Sequence, residues 1–344
     1  KKIPKNIKKL IHTQTYHTML IYGYLYTEKE DELIINQNVK EYKNKKTIKK
    51  DNKNHQKPEP YQDNDREIIH YNYYLLESTG VKFRGPHPKL QGYRKTFSAL
   101  GAAQTFGRFC YLPYPNILSI LIQKNVLNLG YAGAGPSFYL HTPNIFSEIN
   151  STDFVVLQVM SARSVENKIY KNISGRNILE HRETGQRLLD DKAYSKLLSD
   201  YSHVSIKSII EETQENWIKE MQFLLSKINK PICLLWFSTR FPEDYHMGFG
   251  NHKELLGDFP HMVTRNMVDT LKEKCDIYVE CVVSRGLPQQ LYDKSGNIVQ
   301  IPFSKTRFSS KNKYYPSPEM HHDAAHMLYN SLKKDGRFVQ GYEL

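Results

Sequence analysis

Five short apolar runs, separated by helical patterns, constrain this chain more than any other feature. They are "FSALG" (Phe97–Gly101), "NVLNLG" (Asn125–Gly130), "FVVLQVM" (Phe154–Met160), "PICLLWFS" (Pro231–Ser238) and "DIYVECVV" (Asp276–Val283). Each has the length and near-continuous apolar character of a strand covered on both faces. Between them lie helical patterns. One begins near Gln104, and another covers Asn116–Gln123, with Pro113 and Pro115 at its entrance. The clearest runs from Ile206 to Ile228, where Ile206, Ile209, Ile210, Trp217, Met221, Leu224 and Leu225 share one face. Met262, Val263, Met267, Val268 and Leu271 mark a further helix, and His322–Lys333 the last. Buried strands alternating with helices predict an α/β domain with a five-stranded, mainly parallel sheet and right-handed crossovers.

Composition divides the chain. The formal charge is +12, yet residues 1–60 alone hold 14 Lys against 7 Asp/Glu. "VKEYKNKKTIKKDNKNHQKPEP" (Val39–Pro60) lacks the apolar surface to offset its ordering entropy. Residues 1–60 therefore read as a basic, partly disordered tail, and residues 61–344 as a single α/β domain. A Lys-rich tail could make salt-sensitive phosphate contacts, but no recognition motif follows it, so nucleic acid is not the expected partner. "MLIYGYLY" (Met19–Tyr26) is too short to span a bilayer. The first residue is Lys1, so the start of the chain says nothing about a leader. Cys110, Cys233, Cys275 and Cys281 are widely spaced and form no CxxC pair, so neither a zinc site nor a disulfide framework is indicated. A reducing, cytoplasmic setting is expected. No motif requires a cofactor.

In parallel α/β sheets, sites form beyond the carboxyl ends of the strands. The residues standing there are Gln104, Thr105 and Arg108 after the first run and "GYAGAGP" (Gly130–Pro136) after the second. Ser161, Arg163, Ser164 and Asn167 follow the third, Arg240 the fourth and Arg285 the fifth. Gly130 and Gly133 serve a tight turn or a backbone N–H nest for an anion; the pattern matches no nucleotide-binding loop. Four arginines at one rim point to an anionic ligand, either a small molecule or a carbohydrate. Near the end, "YYPSPEMHHDAAH" (Tyr314–His326) enters the last helix. His322 and His326 have the spacing of two metal ligands on one helix face, but no HExxH or third ligand accompanies them. His321 or His322 is the candidate general base. The polar stretch Gly175–Ser205 reads as a helical insertion or lid.

The blocks "FRGPHPKL" (Phe83–Leu90), "LGAAQTFGRF" (Leu100–Phe109), "NLGYAGAGP" (Asn128–Pro136), "QVMSARSVEN" (Gln158–Asn167), "LLWFSTR" (Leu234–Arg240) and "YYPSPEMH" (Tyr314–His321) together resemble a bacterial domain-of-unknown-function family over roughly Tyr61–Ser331. More distantly, the layout is similar to the SGNH (GDSL-type) hydrolases. That resemblance implies a flavodoxin-like three-layer sandwich. In those enzymes a Gly-Asp-Ser turn carries the nucleophile, later Gly and Asn residues complete an oxyanion hole, and an Asp-x-x-His supplies the base. Gly101 matches the first Gly, Thr105 and Gly107 the end of the turn, and Gly130 the second block. His321 or His322 would match the base, with Glu319 three residues before His322 as its carboxylate. The nucleophile position, however, is Ala103, and Ala102 replaces the Asp. An Ala has no lone pair, so serine-ester chemistry is excluded there. Two functions are expected. One is an SGNH-like enzyme with a non-standard site, moving an acyl, sulfuryl or phosphoryl group onto a glycan or other polar acceptor. The other is a non-catalytic glycan- or nucleotide-binding module on the same scaffold.

Overall fold

A computed structural model of the protein describes residues 61–87, 96–302, 308–336 and 338. The stretch read as a basic tail lies outside these residues, as does part of the "FRGPHPKL" block. A short helix α1 (Gln62–Asp65) and the hairpin β1 (Tyr74–Leu76) and β2 (Val81–Phe83) come first. The main sheet starts with β3 (Thr96–Leu100), followed by α2 (Ala103–Phe106), α3 (Tyr114–Leu121) and β4 (Asn125–Asn128). Helices α4 (Pro136–His141) and α5 (Ile145–Asn150) lead to β5 (Val155–Gln158). An antiparallel meander then intervenes, made of β6 (Tyr170–Asn172), β7 (Ile178–His181) and β8 (Arg187–Leu189). Helices α6 (Asp190–Asp200) and α7 (His203–Ser226) precede β9 (Ile232–Ser238). The chain continues through α8 (His252–Leu256), α9 (Arg265–Lys272), β10 (Ile277–Val282) and α10 (Pro318–Asp335).

The five-stranded sheet runs β4-β3-β5-β9-β10, with every pairing parallel. Counting only these strands, the order is 2-1-3-4-5, that of a flavodoxin-like doubly wound sheet. Burial follows the two-residue strand period on both faces. Phe97, Ala99, Val156, Cys233, Leu235 and Phe237 face the layer formed by α3 and α10. Leu100, Val155, Leu157, Leu234 and Trp236 face the layer containing α4, α7 and α9. The result is a three-layer sandwich.

Local signals set most boundaries. Helix α7 is capped by Ser202, whose hydroxyl accepts from Ser205 N–H, four residues ahead of the first buried apolar position, Ile206. The Trp217 indole N–H donates to Met160 O at 3.1 Å, tying that helix to the end of β5. Helix α10 begins four residues before the expected His322. Ser317 caps it by accepting from Met320 N–H, and Pro318 supplies a preset first turn. Helix α2 lasts one turn because Gly107, at φ 77°, closes it with its N–H on Ala103 O. The stretch expected as a helical insertion or lid is only partly helical: β7 and β8 precede α6 there.

Candidate functional site

A doubly wound sheet opens a crevice where strand order reverses, here between β3 and β5. The turn after β3 is held by a buried side chain from β5. Gln158 Oε1 accepts from Ala102 N–H at 3.0 Å and from the Thr105 hydroxyl at 3.3 Å. The loop after β4 passes directly against α2. A Cβ on Gly130 would lie 2.3 Å from Phe106 N, so only glycine permits this approach.

A cavity of about 280 Å³ sits at this crevice. Ala102, Ala103 and Gln104 form its floor beside Gly133 and Ser161. Arg163 and Arg176 supply its cationic groups, and Tyr61, Tyr314 and Tyr315 an aromatic wall. No carboxylate and no histidine is among the lining residues described. Arg163 is paired with Asp190 at 2.8 Å, with the carboxylate side chain only 4% exposed. Burial raises the Asp190 pKa, and Arg163 opposes that rise. The Arg176 guanidinium lies 5.1 Å from the Tyr131 ring centre, and its Nε is buried without a partner.

Of the residues picked from the sequence, Gln104, Gly133, Ser161, Arg163 and Ser164 reach this cavity. The others do not line it. Thr105 is fully buried, with its hydroxyl 3.0 Å from Tyr114 Oη. The Gly130 N–H, expected to face a ligand, donates to Asn128 Oδ1 at 3.0 Å. Asn167 organises its own loop: Oδ1 accepts from the N–H groups of Ile169 and Tyr170, and Nδ2 donates to Thr213. Arg108 forms a bidentate pair with Asp65, 2.8 Å at each contact, and supports the wall from behind through Tyr315 Oη. Arg240 spends its guanidinium on backbone carbonyls, including those of Asp258, Pro260 and Val263. Arg285 pairs with Asp323 near the surface.

The candidate base residues also lie elsewhere. His321 is fully buried between the rings of Tyr114 and Phe237. Its Nδ1 accepts from Tyr114 N–H at 3.2 Å, and burial, with Arg84 nearby, pulls its pKa down to about 3. His322 lies beside His326, with ring centres 4.1 Å apart. Glu319 packs where a Cβ on Gly286 would meet its Oε2. None of the three lines the cavity. Among the described residues, no three His, Cys, Asp or Glu side chains gather as a metal site would require.

The sequence reading missed Arg176, Tyr314, Tyr315 and His261. Tyr314 lines the cavity, and its Oη is 3.1 Å from His261 Nε2. His261 Nδ1 is 2.6 Å from Gly257 O. Burial, then the charge of Arg163, holds the His261 pKa well below its ordinary value. Burial raises that of Tyr314. Tyr314 and Tyr315 open the "YYPSPEMH" block, where the histidines carry the more conspicuous chemistry. His261 stands in the connection between β9 and α9, away from any strand end.

The strand order and the crevice at its reversal define a doubly wound, flavodoxin-like α/β domain. The chain belongs to the family described as Domain of unknown function (DUF6473), whose model matches residues 60–335. No curated protein matches it in sequence. Among solved structures it is similar to a protein assigned to the SGNH hydrolases from Slackia heliotrinireducens, at 14% identity and TM-score 0.31, over 70% of this chain and 100% of that one. It is also similar to an acetyl xylan esterase from the rumen bacterium Butyrivibrio proteoclasticus, at 12% identity and TM-score 0.36, over 75% of this chain and 68% of that one. A family two carbohydrate esterase from Clostridium thermocellum gives 10% identity and TM-score 0.36, over 76% and 69% respectively. Among the described residues, no helix is long and apolar enough to cross a membrane.

Proposed function

We propose that this chain recognises a small, polar, anionic ligand in the crevice between β3 and β5. The observation that carries this reading is the pair of guanidinium groups, Arg163 and Arg176, lining one cavity from which carboxylates are missing among the described residues. Guanidinium groups bind carboxylate, sulfate and phosphate through charge-assisted, often bidentate hydrogen bonds. The volume of about 280 Å³ suits a ligand near the size of a monosaccharide, at the small end of ligand pockets. The tyrosine wall offers flat apolar faces with polar edges, a surface suited to a sugar ring. Ala103 offers no nucleophile at the turn, so no serine ester can form at that position.

Calorimetric titration with D-glucuronate and inorganic phosphate tests the reading. Arg163→Met and Arg176→Met should each weaken binding by about tenfold or more, since each removes a charge-assisted contact. Unchanged affinity in the double variant would sink it. Arg163→Met leaves Asp190 without its cation, but that carboxyl already holds its proton more tightly than usual.

One observation favours a second reading, direct group transfer: the bond from Tyr314 to His261. A ligand hydroxyl would pass its proton to the Tyr314 oxygen as Tyr314 passes its own to His261 Nε2. The freed oxygen would attack an acyl, sulfuryl or phosphoryl donor, whose leaving group departs with the bonding electron pair. Turnover of acyl-CoA or 3′-phosphoadenosine 5′-phosphosulfate with a glycan acceptor would support this reading. Binding without turnover would leave the first.

A further inference from the structure

Hydrogen-bond polarity at the cavity can be traced from a backbone carbonyl outward. Gly257 O lies 2.6 Å from His261 Nδ1, and a carbonyl can only accept, so Nδ1 carries the proton. His261 is neutral at ordinary pH, because burial and Arg163 both oppose its charge. A neutral imidazole has one N–H, which makes Nε2 the acceptor. Tyr314 Oη, 3.1 Å away, therefore donates its only proton to Nε2. Toward anything else, that oxygen can only accept.

Gln104 completes the wall. It lines the cavity beside Tyr314. Its amide oxygen, Oε1, is buried. This oxygen belongs to a side chain that is 2% exposed and lines the cavity, and it has no partner. A buried acceptor without a donor destabilises the fold, so the site is suited to receive one. The residues lining the cavity thus carry two acceptor oxygens, Tyr314 Oη and Gln104 Oε1, together with two side chains, Arg163 and Arg176, that can only donate.

We infer that the cavity selects hydroxylated acids: ligands with an anionic group for Arg163 and Arg176 and a hydroxyl that donates to Tyr314 Oη or Gln104 Oε1. This rests on the anion-binding reading above and narrows it. A bare anion satisfies the arginines and leaves both oxygens unmet. A neutral sugar does the reverse. Sugar acids and hydroxy acids of monosaccharide size satisfy both.

Calorimetry with three probes separates the two readings. D-Glucuronate has the carboxylate and hydroxyls, cyclohexanecarboxylate keeps the ring and charge without hydroxyls, and methyl glucoside keeps the hydroxyls without the charge. Glucuronate should bind the wild-type chain at least about tenfold more tightly than either. Tyr314→Phe and Gln104→Met should each lower glucuronate affinity about tenfold and leave cyclohexanecarboxylate within about twofold. Thermal melts of both variants report whether the fold is retained, and the second variant keeps the test valid if the first does not fold. Equal binding of the two acids to the wild-type chain would overturn the inference while preserving the anion reading. Methyl glucoside binding as tightly as glucuronate would also overturn it. Failure of both acids to bind would remove the anion reading and this inference with it.

Discussion

Arg108 and Asp65 form a buried bidentate pair, with side-chain exposures of 11% and 0%. It joins α2's trailing loop to α1, and the Arg108 guanidinium lies 4.2 Å from the Tyr61 ring centre and 4.9 Å from that of Tyr315. The pair therefore braces two of the three tyrosines that line the cavity. Breaking it strands a charge out of water. Arg108→Met or Asp65→Leu alone should destabilise the chain by about 3–5 kcal/mol, whereas the double replacement should recover most of that loss. Denaturant unfolding of the three variants checks this. Equal losses for single and double variants would show that the ion pair is not the issue.

Placing a hydroxyl at the turn should not create an esterase. Ala103→Ser places an oxygen on the cavity floor, but a serine needs a base within hydrogen-bond reach. His321 is enclosed by Tyr114 and Phe237, and His261 Nε2 is already occupied by Tyr314. Hydrolysis of p-nitrophenyl acetate by Ala103→Ser should stay at the wild-type level. A burst of p-nitrophenol matching the enzyme concentration would mean that a base does reach the turn.

The scaffold was more legible in the sequence than the site, and the reason is directional. Runs such as "ICLLWFS" are buried at every position, and a strand covered on both faces announces itself by composition alone. The meander was hidden because "YKN", "ILEH" and "RLL" are too short and mixed to show a period. At the strand ends, sequence locates a polar residue but not the side to which it turns. Arg163 turns into the crevice, while Arg240 and Arg108 turn back to hold loops. His321 looked like a base because it enters a helix beside another histidine. Its ring instead completes the apolar layer between the sheet and α3.

That burial makes His321 a contributor to acid sensitivity. In the folded chain its pKa falls from 6.5 to about 3, so between those values the unfolded chain binds a proton that the folded one refuses. Stability from this group is present above pH 6.5 and is lost as pH falls toward 3. The slope is at most about 1.4 kcal/mol per pH unit. His321→Asn keeps an acceptor near Tyr114 N–H and cannot titrate. Its stability should be lower at pH 7, and the gap to wild type should narrow steadily as the pH drops from 6.5 to 4. A gap that stays constant across this range would show that His321 does not titrate between the two states.

Arg240 should control the cavity without touching its ligand. Its guanidinium donates to Asp258 O at 3.0 Å and Val263 O at 2.9 Å, and also to Pro260 O, so one side chain fastens the loop that carries Phe259 and His261. Ser238 adds a bond from its hydroxyl to Phe259 O at 2.6 Å. Burial brings the Arg240 pKa down to about 10, a cost accepted for bonds that no uncharged side chain could make in this number. Lysine has one nitrogen and cannot reach all three carbonyls. Arg240→Lys should therefore lose about 2 kcal/mol or more of stability. It should also speed amide hydrogen exchange across 258–263 by at least about tenfold, while exchange in α7 changes only by the global loss. Glucuronate affinity should fall with it, because His261 no longer holds Tyr314 in place. Slow exchange in 258–263 together with unchanged affinity would show that the loop keeps its shape without the guanidinium clamp.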